Sequence, residues 1–523
     1  MDALQDFVDA CRAAGLVTGA PDTTSLAPAA ALRVHIPAWR GMALAARSAG
    51  MRWCAFWARE TSDGLEAFSC LEQGGTYLVM RCELAYDDEL PSLAPVFPAA
   101  DRPERHARDM LGLRFSDQPD ARRWTRHRAW TETQFPLRAD FHCPPPAEPA
   151  PPDSDYPFNP VHGAGVVEIP VGPVHAGIIE PGHFRFHAVG ETILKLEERL
   201  GYAHKGIERL ALGRDADGLA RLAARVSGDC TVSHTWAACQ AMERAAGVNV
   251  PPRAAALRAI LAERERVANH LGDIGAICND VGFPFAQYQL TRLKENWVRE
   301  NERLFDHRLL MDRIVPGGTS TDLPQHAVES ACASARALAE EVAGLIRIIE
   351  DSEALEDRLM GTGRLAPERA AELGTVGYVG RASGQAFDLR RDAPYSPYDR
   401  MNVHVPGYRA GDVAARAKVR AEEIAVSLHL IESLIASLPP GPHRIAWTAP
   451  ARECEGLGMV ESWRGELITY IRFDDHGRVS RYFPRDPSWL NWPALEQLID
   501  GNIVPDFPVC NKSVNGSYSG TDL

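Results

Sequence analysis

Cysteines and histidines are the residues best able to hold a metal or do redox chemistry, so their spacing is read first. Eleven cysteines stand at 11, 54, 70, 82, 143, 230, 239, 278, 332, 454 and 510, and no C-x-x-C pair occurs. An odd, scattered set gives no disulfide framework, zinc ribbon or ferredoxin-type iron–sulfur motif within the chain. Most read as small buried hydrophobes; for Cys230 the sharper alternative is a lone reactive thiol. His175, His183 and His187 crowd one stretch, which reads as a strand with ordinary polar positions rather than a metal site. Glu180, His183, His204, Glu208, His234, Asp388, Arg390 and Asp392 are of the types that move protons or steady charge. Glu180, His204, Glu208 and His234 are candidate proton carriers, and Asp388, Arg390 and Asp392 candidates for the same polar network; the alternative for each is one half of a buried, hydrogen-bonded pair.

Such residues need a scaffold, and 523 residues supply one. At about 100–200 residues per domain this is two to four domains. Apolar residues are 45% and charged residues 24%, a globular composition that excludes collagen, coiled coil and wholesale disorder. A net charge of −14 argues against a nucleic-acid partner and against general attraction to anionic lipid. No apolar run reaches the ~18–20 residues of a spanning helix. The opening Met1-Asp2-Ala3-Leu4-Gln5-Asp6 is acidic where a signal peptide would be basic. The expectation is a cytoplasmic chain able to dock on a membrane complex.

The stretch from Cys143 to Pro160 is dense in proline and predicts an extended linker between residues 1–142 and 161–523. Before it, Leu4, Phe7, Val8 and Cys11 predict an amphipathic helix. Runs at 33–37, 53–57 and 75–82 predict strands, giving a small α+β domain. After it, short strands are predicted near 166–169 and 184–186. Helical periodicity then runs through 192–212, 218–246, 254–277, 286–313, 326–360 and 412–438. Strands return near 466–473 and 478–483, followed by a helix at 492–499. The fold class is α+β: a small α+β domain, a proline-rich linker and a large, mainly helical domain with small β elements.

Two motifs in the first segment are Glu104-Arg105-His106-Ala107-Arg108-Asp109-Met110-Leu111-Gly112 and Pro136-Leu137-Arg138-Ala139-Asp140-Phe141. Together they resemble the 30-kDa subunit of respiratory complex I, with Ala107 and Leu111 departing from that family's pattern. The second segment carries Glu180-Pro181-Gly182-His183, Arg199-Leu200-Gly201-Tyr202-Ala203-His204-Lys205-Gly206, Arg264-Glu265-Arg266-Val267-Ala268-Asn269-His270, Arg381-Ala382-Ser383-Gly384 and Glu461-Ser462-Trp463-Arg464-Gly465-Glu466. These resemble the large subunits of group 4 [NiFe] hydrogenases and the homologous 49-kDa subunit of complex I. Both parts in one chain resemble the formate hydrogenlyase large subunit.

That resemblance places nickel ligands in two C-x-x-C pairs. Here the first pair falls on Ser227 and Cys230, within Arg225-Val226-Ser227-Gly228-Asp229-Cys230, and the second on Ser517 and Gly520. One thiolate of four does not hold nickel and iron, and the sequence also stops at Leu523 without the extension that many nickel enzymes lose on maturation. The quinone-binding Tyr and His of complex I fall on Gly228 and near Pro181, leaving Tyr202, His183 and His175 as substitutes. By resemblance, Arg225 lies beside an iron–sulfur cluster of the partner small subunit, and Arg464 overhangs the site, where a fixed cation steadies negative charge. The catalytic candidates are thus Arg225, Ser227, Cys230, His234, Arg464, Glu180, His183, Glu208 and Asp388.

The expected function is that of the large electron-transfer subunit of a membrane-associated, complex I-like oxidoreductase of the energy-converting hydrogenase-related type. No cofactor is held firmly by the chain and no nickel is expected. A [4Fe-4S] cluster sits in the partner, and a quinone or another small acceptor is reduced. The implied partners are the small iron–sulfur subunit, a ferredoxin-like subunit and membrane ion-translocating subunits, at the cytoplasmic face of the inner (plasma) membrane. The alternatives are a working [NiFe] hydrogenase of the formate hydrogenlyase type and a non-catalytic coupling scaffold.

Overall fold

The computed structural model describes residues 2–142, 155–175 and 179–523. Most of the proline-rich stretch, 143–154, lies outside the described residues, and so does Cys143. The N-terminal part holds helices α1 (Asp2–Ala13), α2 (Trp39–Ser48) and α3 (Asp101–Leu111). Its sheet is built from β1 (Ala30–Arg33), β2 (Arg52–Glu60), β3 (Leu65–Gln73) and β4 (Thr76–Leu84) in the order β1-β4-β3-β2. β1 runs parallel to β4, and the other pairs are antiparallel.

Side chains alternate across these strands, and here both faces are apolar. Leu78, Met80 and Phe56 face a core shared with α2 and α3, whereas Val79, Phe68 and Trp57 join the core of the large part. Trp57 packs on Tyr470 with ring centroids 5.3 Å apart. Buried ion pairs cross the same boundary, such as Arg52 to Glu466 at 2.6 Å. The sheet is therefore buried on both sides, which is why its strands read as nearly continuous apolar runs.

The large part opens with the antiparallel strands β5 (Val166–Val171), β6 (His183–Val189) and β7 (Thr192–Arg199). Its helical body is α4 (Thr231–Ala246), α5 (Pro252–Asp280), α6 (Pro284–Phe305), α7 (Val328–Glu350) and α8 (Val413–Ala436), with shorter helices between. α5 packs on both α6 and α8. A second antiparallel sheet, β8 (Cys454–Ser462), β9 (Gly465–Phe473) and β10 (Val479–Arg485), lies against α4. Contact there is close because Gly458 has no side chain: a Cβ would sit 1.9 Å from the Ala237 carbonyl oxygen. Helices α9 (Ser488–Leu498) and α10 (Phe507–Val514) close the chain toward its last residues.

Several expectations need correction. The strand predicted at 33–37 lies at Ala30–Arg33, and the helix predicted over 286–313 ends at Phe305. That over 326–360 is two helices, Val328–Glu350 and Glu353–Leu359, and two further helical stretches differ more. Residues 192–199 form strand β7, paired with β6 across the two-residue turn Gly190-Glu191, with Val189 opposite Thr192. Its Leu, Lys and Glu residues favour a helix locally, but hairpin pairing and burial of Ile193 and Leu196 override that preference. The predicted helix over 218–246 is two helices, Ala216–Ala223 and α4, broken by the loop 224–230. Among the described residues, no helix is long and apolar enough to cross a membrane.

Candidate active site

The loop 224–230 and the tail after α10 are separated by almost 300 residues in sequence, yet they meet. Ser227 Oγ lies 2.7 Å from Ser517 Oγ, and both side chains are buried. Ser227 donates to Asp229 Oδ1 at 2.8 Å, and Gly520 N–H donates to Ser517 Oγ at 2.9 Å. An ionised carboxylate only accepts, so the Ser227 hydrogen is committed to Asp229. Ser517 must then donate to Ser227. The result is a one-way chain from Gly520 N–H through Ser517 and Ser227 to Asp229.

Arg464 completes it. Its fork binds Asp229 at 2.8 and 2.6 Å, a bidentate geometry that suits a planar guanidinium. The surrounding protein partly desolvates Asp229 and opposes its charge, but Arg464 and Ser227 hold this half-exposed carboxyl below the usual range. Asp229 and Gly228 also line a surface pocket of about 240 Å³, together with Asn269 and Lys294. The far end of the chain thus reaches the outside.

Three elements position these groups. Cys230 starts α4 without a side-chain cap, and Glu265 of α5 supplies it by accepting from Val232 N at 2.7 Å and from Ser233 Oγ at 2.8 Å. Burial pushes the Glu265 carboxyl up to about 7 in spite of those bonds. The tail is clamped through successive carbonyls. Arg420 donates to Ser513 O, the Tyr378 hydroxyl to Val514 O and Arg464 Nε to Asn515 O, each at 2.7 Å. These donors form one stack: Arg420 over Tyr378, Tyr378 on Trp463, and Arg464 over Trp463. Ser517 then caps the short helix Tyr518–Asp522.

Asp486 lies beside the chain. It bonds His234 Nε2 at 2.8 Å and Ser488 N at 2.8 Å. Burial works against its charge, but His234 and Arg464 hold its carboxyl at about 2. A Cβ on Gly520 would sit 2.6 Å from Asp486 Oδ2 and 2.9 Å from Ser517 Oγ, so that glycine is required by space.

Family models match along most of the chain. The description "Respiratory-chain NADH dehydrogenase, 49 Kd subunit" covers residues 280–451 and 445–522, "Respiratory-chain NADH dehydrogenase, 30 Kd subunit" covers 42–147, and "Nickel-dependent hydrogenase" covers 205–272. The chain is 34% identical over 451 residues to formate hydrogenlyase subunit 5 of Escherichia coli (strain K12), covering 85% of this chain and 79% of that one. The chain belongs to the complex I 49-kDa and group 4 hydrogenase large-subunit family. It is also similar to an NADH-quinone oxidoreductase subunit of Phocaeicola vulgatus, at 29% identity over 401 residues, or 73% of this chain and 77% of that one. Among solved structures, a chain of the membrane-bound sulfane sulfur reductase, an archaeal respiratory membrane complex, superposes with a TM-score of 0.64 at 25% identity, covering 69% of this chain and 99% of that one. Members of this family are subunits of oxidoreductases.

The hydrogenase resemblance implies a nickel–iron centre with ligand positions at Ser227, Cys230, Ser517 and Gly520, and of these Ser227, Ser517 and Gly520 are joined by hydrogen bonds. Two are neutral hydroxyls committed to hydrogen bonds. Cys230 is the one thiol among the four. The fourth position has no side chain. This donor set does not fit a nickel–iron centre, which needs soft, ionised thiolates.

The remaining candidates are distributed more widely than the sequence suggests. Arg225 is not part of the junction: it lies half-exposed on the surface, paired with Asp312 at 2.8 Å. Glu180 is exposed and accepts from Ser519 N at 3.1 Å, so it touches the tail. His183 Nδ1 faces the Gly172 carbonyl at 3.1 Å; burial lowers its pKa, and it makes no bond to the serine chain. His204 faces the Asp522 carbonyl at 2.7 Å, and His175 the Gly182 carbonyl at 2.9 Å. Tyr202 packs edge-on to His127.

Glu208 lies 2.6 Å from both His106 of α3 and Arg481. Burial opposes its charge, yet those partners hold its carboxyl at about 2. Its partners on the two sides tie the two parts together, the buried-pair alternative that the sequence also offers for this residue. Asp388 is likewise held below the carboxylate range, by Arg390 and Arg381 and against burial. It belongs to an ion cluster rather than to the serine chain. Sequence reading missed Asp229 and Asp486. The first sits inside the Arg225–His234 motif, and the second opens α9 with Asp486-Pro487-Ser488, a helix-start signal.

Proposed function

We propose that this chain is the large electron-transfer subunit of a membrane-associated, complex I-like oxidoreductase that works without a nickel–iron centre. Electrons arrive from a [4Fe-4S] cluster in a partner small subunit and reduce a quinone or another small acceptor, with ion translocation by membrane partners. Full reduction of a quinone takes two electrons and two protons. The observation that carries this reading is the 2.7 Å contact between the Ser227 and Ser517 hydroxyls. It forms part of a directed hydrogen-bond chain through positions to which the hydrogenase resemblance assigns metal ligands. Asp229, at the mouth of the surface pocket, is the chain's exposed acceptor. Relatives named as formate hydrogenlyase, NADH-quinone oxidoreductase and respiratory membrane complex support the setting. By the same resemblance the complex stands at the cytoplasmic face of the plasma membrane, with a ferredoxin-like subunit as a further partner.

The test is the purified complex, assayed for nickel, for hydrogen production and for reduction of a short-chain quinone. No nickel and no hydrogen, with quinone reduction that Asp229→Asn lowers at least about tenfold, supports the reading. One nickel per chain with hydrogen production overturns it and restores the working hydrogenase.

One observation favours a second reading, a scaffold that only couples modules: the Arg464 fork is filled by Asp229 and both serine hydroxyls are already bonded. Under that reading the complex shows no acceptor reduction that depends on Asp229.

A further inference from the structure

At the opposite end of α4 from the serine junction, a cleft of about 660 Å³ opens between the two parts of the chain. That volume is typical of small-molecule sites, which favour such boundaries. One wall is the β3–β4 turn, Gly74 to Tyr77. The facing wall is a stripe of α4, Trp236, Gln240 and Arg244, spaced four residues apart on one helix face.

The stripe offers donors. Arg244 spends one N–H on the Leu457 carbonyl at 2.6 Å. Among the described residues it has no ion-pair partner, because the carboxylates lining the cleft are committed elsewhere. Glu243 is held by both arms of Arg258 and by Gly317 N, and Asp392 by Arg391 and Asp388 N. Gln240 uses its Oε1 on Met459 N, which leaves its amide hydrogens free. The Tyr395 hydroxyl accepts from Glu461 N at 3.0 Å and keeps its own hydrogen to give. Burial lowers the Arg244 pKa to about 10, so it keeps its charge at neutral pH. A desolvated guanidinium without a counter-ion, flanked by free donors, lacks only an anion.

We propose that this cleft binds a small molecule through a carboxylate or phosphate group, with Arg244 as its anchor. The guanidinium grips two anion oxygens through its unspent N–H groups, and Gln240 and Tyr395 donate to what remains. Binding here draws the β3–β4 turn and α4 together. The site lies on the helix that begins at the Cys230 loop, its anchor Arg244 about 21 Å from Cys230 along the axis.

The test uses the full chain, with inorganic phosphate and citrate as probes against chloride at equal ionic strength. Hydrogen exchange of residues 73–77 and thermal stability are followed in the wild type and in Arg244→Gln. The expected result is slower exchange of the turn and a higher melting temperature with at least one probe. Arg244→Gln, with an unchanged melting temperature in chloride, weakens the effect about tenfold or more. A response to phosphate alone assigns a phosphate group, and a response to citrate alone a carboxylate. No response beyond chloride overturns the proposal. So does protection confined to other segments, or an equal response in Arg244→Gln. If that variant folds poorly, slower exchange at 73–77 in the wild type under saturating probe still decides the matter, its absence being fatal.

Discussion

The serine junction and the ion cluster behind it are both buried and polar, but they are held in opposite ways. The junction chains neutral hydroxyls to a single ion pair, Arg464 with Asp229. The cluster sets three guanidiniums against four carboxyl groups. Arg381 meets Glu423 at 2.6 Å and Glu461 at 2.9 Å, Arg390 meets Asp388 at 2.8 Å and Glu263 at 3.0 Å, and Arg266 meets Glu263 at 3.2 Å. Arg266 also links the two regions, donating to the Glu461 and Ser462 carbonyls and so fixing the turn that carries Arg464. The junction tolerates the exchange of thiolates for hydroxyls because those groups need no counter-charge. The three guanidiniums of the cluster are answered by Glu423, Asp388 and Glu263, so none of these charges can be dropped alone.

The largest expected effect breaks that balance. Glu423→Ala leaves Arg381 and Arg266 without a shared partner and His270 without its 2.7 Å bond. A loss of about 3–5 kcal/mol is expected, read as a lower denaturation midpoint or as loss of soluble protein. Glu461→Gln is the contrast. Burial and the neighbouring Asp388 push the Glu461 carboxyl up toward its neutral form, which Gln imitates, so this variant stays within about 1 kcal/mol. Equal losses would mean that the cluster is not organised by charge.

The next effect is a pH dependence at the junction's edge. Glu265 has an ordinary value of 4.5 when unfolded and about 7 when folded. Between those values the folded chain holds a proton that the unfolded chain has released. Stability from this group is therefore full below about pH 4.5 and is lost as pH rises through about 7, by at most ~3 kcal/mol. Glu265→Gln should flatten that part of the curve, measured by denaturation between pH 5 and 8.

How much of this was legible depended on where charge and burial acted. The apolar periodicity of 254–277 and 412–438 marks helices that the structure contains as α5 and α8, because packing there follows the local pattern. Residues 192–199 misled because their helix-forming side chains are used in a hairpin; Gly190 was the overlooked signal. The break at 224–230 was invisible because apolar spacing continues through Leu222, Ala223 and Val226, which are buried in the same core on both sides of the loop. The frame around Ser227 and Cys230 located the junction. Its chemistry lay in Asp229 and Asp486, whose roles come from partners more than 200 residues away, Arg464 and His234. No local pattern records such a pairing.

A smaller effect tests the junction itself. Ser227→Ala and Ser517→Ala each remove one hydroxyl and leave a buried partner short of a bond, at about 1–2 kcal/mol apiece. Since both delete the same contact, the double variant should fall short of the sum by about 1 kcal/mol in a denaturation cycle. Strict additivity would mean that the two hydroxyls do not meet.

The smallest effect on stability sharpens the comparison most. Arg225 and Asp312 form an exposed pair, so Arg225→Gln should shift stability by no more than about 0.5 kcal/mol. Neither the junction nor the cluster uses this side chain. If it stands beside a partner's iron–sulfur cluster, as the resemblance implies, its fixed positive charge favours the reduced state. The variant complex should then show a lower cluster reduction potential in a spectroscopic redox titration, with the melting temperature unmoved. An unchanged potential would leave Arg225 as a surface ion pair and place the partner's cluster elsewhere. A lowered potential in a chain of unaltered stability would separate the residues that build the scaffold from the one that faces its redox partner.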